Sequence, residues 1–179
     1  LTRLKPELNV PPITVGIVQT RDEWIEQCVQ SIHSQLYPNE IELVLFDNRE
    51  KTQSIGEAFN AIVQQASHDW ICYIGDDDFI QPDYLVSLMG RERDIPVDVV
   101  AVASYCTMFD GKRRELSDKI VTSVWSREFL QKHPWNEKLP NMVDTAQFKK
   151  ANDVGGEIAL QSWNYGYFYR QHDANVSGN

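Results

Sequence analysis

Short apolar, β-branched runs alternate with amphipathic stretches over the first 105 residues, and this alternation restricts the fold more than any other feature. Ile13 to Val18 is apolar or small throughout, as in a strand buried on both faces. After the polar stretch Gln19-Thr20-Arg21-Asp22, the residues Ile25, Cys28, Val29, Ile32 and Leu36 recur at helical spacing. They predict an amphipathic helix over 22–36, ended by Pro38-Asn39. Ile41 to Phe46 predicts a second buried strand, stopping at Asp47-Asn48. Ser54-Ile55-Gly56-Glu57 fits a capping box, and Ile55, Phe59, Ile62, Val63 and Ala66 form the buried face of the helix it opens. Asp69 to Ile74 predicts a third strand, running directly into Gly75-Asp76-Asp77-Asp78. Pro82 opens a helix through Met89 that stops at Gly90, and Val97 to Tyr105 predicts a fourth strand.

The order β-α-β-α-β-α-β, with short connections, predicts an open, mostly parallel sheet with helices on both faces. Such sheets bind ligands beyond the carboxyl ends of their strands. Three strands end in polar clusters, Gln19-Thr20-Arg21, Asp47-Asn48 and Asp76-Asp77-Asp78, and the topology brings all three to one rim. The second half is less regular. Asp110-Gly111 predicts a hairpin turn. Residues 123–131 read as a short helix, 144–153 as a helix ended by Gly155-Gly156, and 157–162 and 165–170 as strands. The 179 residues suit one α/β domain over 13–179 behind a lead-in arm at 1–12.

A net charge of -9 argues against non-specific nucleic-acid binding, which needs a basic surface. No apolar run approaches the roughly 18 residues of a membrane span. Cys28, Cys72 and Cys106 are widely spaced in apolar contexts, as expected of buried thiols in a reducing, cytoplasmic setting. Any membrane association would come through segments or partners outside this chain.

Three adjacent carboxylates at the end of a buried strand repel one another and lose solvation. A hard divalent cation removes that cost, and Mg²⁺ in particular takes one or two carboxylates together with phosphate oxygens. The competing reading is a solvated acidic turn ahead of the helix that Pro82 opens.

The stretch Trp70-Ile71-Cys72-Tyr73-Ile74-Gly75-Asp76-Asp77-Asp78, followed by Pro82-Asp83-Tyr84-Leu85, resembles the D-x-D region of family 2 GT-A glycosyltransferases. Four further pieces agree in order. Thr14-Val15-Gly16-Ile17-Val18 followed by Ser31-Ile32-His33-Ser34-Gln35 is similar to the family's first strand and its "Ser-(Ile/Leu)-x-x-Gln" helix. Glu42 to Asn48 resembles the second strand and its acidic end. Ile55-Gly56-Glu57-Ala58-Phe59-Asn60-Ala61 resembles the "Gly-x-Ala-Arg-Asn" helix. Tyr167-Phe168-Tyr169-Arg170-Gln171-His172, with Asn175 and Ser177, resembles the "Tyr-Arg-x-His-x-x-Asn-x-Ser" tail.

The resemblance implies a single GT-A, Rossmann-like domain with a smaller antiparallel hairpin region, its nucleotide-sugar-binding half at 13–105 and its acceptor-binding half at 106–179. It also implies transfer of a sugar from a nucleotide-sugar donor, commonly UDP-linked, to a carbohydrate or other hydroxyl acceptor. The transfer would invert the anomeric carbon and be assisted by Mn²⁺ or Mg²⁺. Asp47 matches the residue that receives the base; Val18, Gln19 and Thr20 match the loop lining base and ribose. Asp77 matches the metal ligand, with Asp78 and His172 as further ligands and Asp76 facing the ribose. Asp144 falls at the family's catalytic base, the alternative being a simple helix N-terminal acid. His172 is otherwise an acceptor-site or a packed structural histidine, and Arg170 pairs with phosphate or with a surface acid. Trp163, Tyr165 and Tyr167 stack on a sugar or pack. Three positions depart from the pattern: Gly75 replaces an acid, Phe59 the helix arginine, and Val143 the Glu before the base. These departures leave room for a catalytically inactive GT-A-like module that binds a nucleotide or sugar.

Overall fold

The computed structural model describes residues 10–90 and 99–172. The elements run β1 (Ile13–Gln19), α1 (Ile25–His33), β2 (Ile41–Asp47), α2 (Ile55–Gln65), β3 (Trp70–Tyr73), β4 (Phe79–Ile80), α3 (Tyr84–Met89) and β5 (Val99–Ser104). There follow β6 (Cys106–Phe109), β7 (Arg114–Ser117), β8 (Ser123–Ser126), α4 (Arg127–Lys132), α5 (Val143–Asp153), β9 (Glu157–Gln161) and β10 (Tyr167–Arg170). Of the expected arm, residues 1–9 lie outside the described residues; Val10 is buried. The first two residues of the expected fourth strand also lie outside.

A six-stranded sheet of order β2-β1-β3-β8-β5-β9 forms the centre, and a four-stranded sheet of order β4-β10-β6-β7 packs beside it. β1 pairs in parallel with β2 and β3, and β5 pairs in parallel with β9. Alternating side chains feed two cores, as the two faces of a pleat require. On one face Val15, Ile17, Cys72 and Val102 meet Cys28 and Ile32 of α1 and Leu85 and Leu88 of α3. On the other, Ile71, Tyr73, Ala101 and Trp125 meet Ala58 and Ile62 of α2, Phe129 and Leu130 of α4, and Ala151 of α5. The helices therefore cover both faces, as the alternation predicts. The capping box forms: the Ser54 N–H donates to Glu57 Oε2 at 2.7 Å, and the Glu57 N–H donates to Ser54 Oγ at 3.1 Å. The hairpin at Asp110-Gly111 also forms, with Gly111 at φ 90° between β6 and β7.

Four local expectations change. Residues 123–126 are a strand, not the start of a helix: β8 lies antiparallel between β3 and β5, and helix begins only at Arg127. The run Val121-Thr122-Ser123-Val124 is rich in β-branched residues, and strand pairing on both sides outweighs the local helical reading. β2 is not buried on both faces, because it is the sheet's edge; Leu45 is exposed. α1 is shorter than expected, Ile25–His33 within 22–36, and the two-residue β4, too short to carry a period, is an added element. All three cysteines are buried free thiols, as expected. Among the described residues, no helix is long and apolar enough to cross a membrane.

Candidate functional site

The ends of β1 and β3 are joined by one carboxylate. Asp76 Oδ2 accepts from the Thr20 N–H at 2.6 Å, the Thr20 hydroxyl at 2.9 Å and the Arg21 N–H at 3.0 Å. The Asn48 N–H donates to the Gln19 carbonyl at 2.8 Å and brings the end of β2 to the same rim. The three polar clusters thus converge. Asp76 is buried, and its charge is answered by backbone N–H groups and by Arg21 Nε, 3.6 Å from Oδ1.

Asp78 turns inward. Its Oδ2 accepts from the Tyr167 hydroxyl and its Oδ1 from the Arg170 N–H at 2.7 Å. Burial pushes its carboxyl well above the ordinary range, and the neighbouring Asp77 charge adds to this. The Gly75 N–H donates to the Tyr167 hydroxyl oxygen at 3.2 Å, so one phenol holds both sides of the acidic turn. Gly75 stands here for a steric reason. A Cβ on it would lie 2.8 Å from Asp78 Oδ2 and 2.9 Å from Asp77 Oδ1. Below the turn, the Cys28 thiol donates to the Gly75 carbonyl at 3.3 Å. Burial, then the fields of Asp78, Asp76 and Asp77, push that thiol far up and keep it neutral.

Asp77 is the acid that faces outward. Its Oδ2 lies 2.8 Å from His172 Nε2 and 3.3 Å from Arg21 Nη1. His172 Nε2 is in turn 3.2 Å from Arg21 Nη1, and the imidazole leans on Trp24 with ring centroids 4.6 Å apart. Arg170 Nε donates to the Asp77 carbonyl at 2.7 Å, and its guanidinium lies over the rings of Trp24, Phe109 and Phe79. Arg170 therefore clamps the triplet's backbone from the tail strand.

Above these groups is a cavity of about 200 Å³, bordered by Val18, Thr20, Arg21, Phe59, Tyr73 and all three acids. Phe59, in place of the expected arginine, packs on Tyr73 and Trp135 with centroids 4.3 and 5.0 Å apart. Asn60 exchanges bonds with the backbone of Trp135, at 2.9 and 3.1 Å, and pins that loop to α2. A second, larger cleft of about 530 Å³ is lined by Asp22, Asp47, Asn48, Arg49, Glu50 and Thr52. In it Arg49 grips both oxygens of Asp47, at 2.9 and 2.7 Å, and also reaches Asp22 at 3.1 Å. Hydrogen bonding to Arg49 holds the Asp47 carboxyl down at about 2. Gln19 borders neither space; its Nε2 donates to Asp22 Oδ1 at 2.8 Å.

Val18, Thr20, Asp76, Asp77 and Asp78 therefore border one cavity, His172 joins them through Asp77, and Asp47 lies in the adjoining cleft. Asp144 stands apart. It opens α5, accepts from the Thr145 N–H at 2.7 Å, and does not line the cavity. Val143, in place of the expected Glu, is buried in the core beneath α2. Tyr167, Trp125 and Trp135 are core residues, whereas Trp163 is exposed. The periodic patterns drew no attention to Arg21, Arg49 or the Tyr167 hydroxyl. The one available signal for Arg21 was its place just past the first strand.

Among the described residues, no three His, Cys, Asp or Glu side chains converge on one metal position. Asp77 Oδ2 and His172 Nε2 do converge. A carboxylate oxygen with an imidazole nitrogen suits Mn²⁺, with phosphate oxygens and water completing the shell. A cation already stands beside both donors, since Arg21 Nη1 is 3.3 and 3.2 Å from them. The residues present fit a divalent metal.

The family described as "Glycosyl transferase family 2" matches residues 45–155. No curated protein matches the chain. Among solved structures, S. aureus TarS 1-349 in complex with UDP-GlcNAc superposes with a TM-score of 0.73 at 15% identity, over 94% of this chain and 61% of that one. TarS 1-349 in complex with UDP gives 0.70 at 15% identity, over 89% and 60%. The mannosyltransferase PcManGT from Pyrobaculum calidifontis, in complex with GDP-Man and Mn2+, gives 0.70 at 14% identity, over 93% and 59%. At these identities the likeness shows the fold, which is the GT-A fold. The chain spans 37% to 61% of the length of five of the structures it matches.

Proposed function

The chain belongs to glycosyl transferase family 2, and on that premise we propose that it transfers a sugar from a UDP-linked donor to an acceptor hydroxyl, with inversion and metal assistance. The observation that carries this reading is the convergence of Asp77 Oδ2 and His172 Nε2 beside the cavity at the ends of β1 and β3. A diphosphate in that cavity would lie against Thr20, Arg21 and Asp77. The base would extend into the neighbouring cleft, where Asp47 and Arg49 set an acceptor beside a donor, an arrangement suited to an imide edge. Val18 and Thr20 would line base and ribose, and Asp76 would hold the β1 exit in place beneath the ribose. A bound Mn²⁺ or Mg²⁺ would stabilise the charge that develops on the leaving diphosphate.

In this reading Asp77 and His172 are the protein's metal ligands. Asp78 is the buried post that fixes their turn, since Tyr167 and Arg170 take both its oxygens. Asp144 acts as the base that removes the acceptor proton at one of its carboxylate oxygens. It projects from the first turn of α5, whose Phe148 packs on Trp125, so its position is set by the core. One observation favours the second reading, a GT-A-like binding module without activity: Asp144 does not border the cavity.

Titration calorimetry with UDP, GDP, TDP and CDP, each with and without Mn²⁺, tests the reading. UDP is expected to bind in a Mn²⁺-dependent manner that Asp77→Ala abolishes. Absence of binding by every nucleotide to folded protein would overturn the donor site. Binding without sugar transfer to any acceptor in a hydroxyl panel would favour the module.

A further inference from the structure

We propose that Arg21 is a built-in counter-cation that holds the metal position until a nucleotide diphosphate arrives, and so makes metal and nucleotide binding depend on each other. The inference rests on the donor-site reading above and concerns a residue outside that reading's ligand set. Arg21 is anchored at its backbone, where its N–H donates to Asp76 Oδ2 at 3.0 Å. Its side chain then folds back over the acids, with Nε 3.3 Å from Thr20 Oγ1 and 3.6 Å from Asp76 Oδ1. Nη1 comes to rest 3.3 Å from Asp77 Oδ2 and 3.2 Å from His172 Nε2.

A divalent ion held by that carboxylate and that imidazole would sit about 2 Å from each donor. Nη1 covers one side of this donor pair, and an ion entering on that side would meet the guanidinium. Arginine cannot shed its proton to relieve this. On that side the metal and the guanidinium therefore exclude each other, and the metal enters only when the side chain leaves. Without nucleotide, the displaced guanidinium loses Asp77 and gains only water. With a diphosphate in the cavity that Arg21 borders, it exchanges one carboxylate oxygen for phosphate oxygens that its planar fork can grip in pairs. The exchange leaves each anion with a cation, so the two ligands enter together. Linkage is reciprocal: the factor by which nucleotide tightens metal equals that by which metal tightens nucleotide.

The test measures free Mn²⁺ by electron paramagnetic resonance, with and without UDP, for the wild type, Arg21→Ala, Arg21→Gln and Asp77→Ala. In the wild type, UDP is expected to tighten Mn²⁺ binding roughly 10- to 100-fold. In Arg21→Ala, Mn²⁺ alone binds at least about tenfold tighter than in the wild type, and the UDP effect shrinks by the same factor. Arg21→Gln keeps hydrogen-bond donors for Thr20 and Asp76 but not the charge. It is expected to behave in the same direction, and it replaces the alanine variant if that one fails to fold. Unchanged or weaker nucleotide-free Mn²⁺ affinity in a folded Arg21 variant overturns the proposal. If Asp77→Ala at the same time loses Mn²⁺ and UDP binding, the donor-site reading stands and only the role of Arg21 falls. If Asp77→Ala binds both as the wild type does, or no form binds either, both fall.

Discussion

The Tyr167 hydroxyl lies at the centre of the acidic turn, and Tyr167→Phe removes it without changing the shape of the core. The side chain is 1% exposed, so water cannot replace what is lost. Two bonds disappear. One is the donation to Asp78 Oδ2, worth about 1–3 kcal/mol depending on how much charge the carboxyl carries. The other is the bond accepted from the Gly75 N–H, which leaves a part-buried donor unpaired at a further cost of about 1–3 kcal/mol. The ring contact with Tyr84 survives, so no cavity term is added. The sum is about 2–6 kcal/mol, with a centre of about 4 kcal/mol. For a domain of this size each kcal/mol moves Tm by about 2–4 °C, so the central value gives a fall of roughly 8–16 °C. Thermal unfolding followed by circular dichroism reads it directly. A fall below about 2 °C would mean that the turn is held by its backbone and by Arg170 alone, and would refute the tie assigned to Tyr167.

Other outcomes follow from single contacts. Ser54→Ala breaks the capping box of α2 and is expected to cost about 1 kcal/mol, read as a lower urea midpoint with unchanged slope. Glu42 resists protonation: burial raises its carboxyl, but bonds from Ser67 and the Thr14 hydroxyl outweigh burial and leave it below its ordinary 4.5. Its contribution is therefore present above about pH 4.5 and lost as pH falls through the lowered value. Melting curves between pH 7 and pH 3 should show a shallower acid decline in Glu42→Gln than in the wild type. Asp144→Asn is expected to lower kcat by about 10²- to 10⁴-fold while leaving the donor KM unchanged; an unchanged kcat would remove Asp144 from the base role.

Much of the framework was legible because its signals are local. An element buried on one face must repeat its apolar residues at that element's own period, whatever it packs against. That is why α2, β1 and β3 fell close to their expected limits, why α1 kept its apolar face although it spans only Ile25–His33 of the expected 22–36, and why Ser54 and Glu57 marked a helix start. Gly111 marked a turn for the same reason. β8 was not legible, since whether Val121 to Trp125 runs as strand or helix depends on the gap between β3 and β5 that it fills. The exposure of Leu45 depended likewise on β2 having no further strand beside it.

The candidate site divides in the same way. The residue types and their place at strand ends brought Asp47, Asp76 and Asp77 into view from the sequence, and the tail's resemblance to the family brought His172. What each carboxylate does was decided by its partners. Asp76 takes the β1 exit, Asp78 takes Tyr167, and Asp77 meets Arg21 and His172. Those last two lie 151 residues apart in the chain and 3.2 Å apart in space. Periodicity determined which segments form strands and helices and where their polar ends fall, because it reports the burial of each element by itself. The pairing of Arg21 with Asp77 and His172 came only with the closed fold, because no local pattern records which distant side chain will arrive to balance a charge.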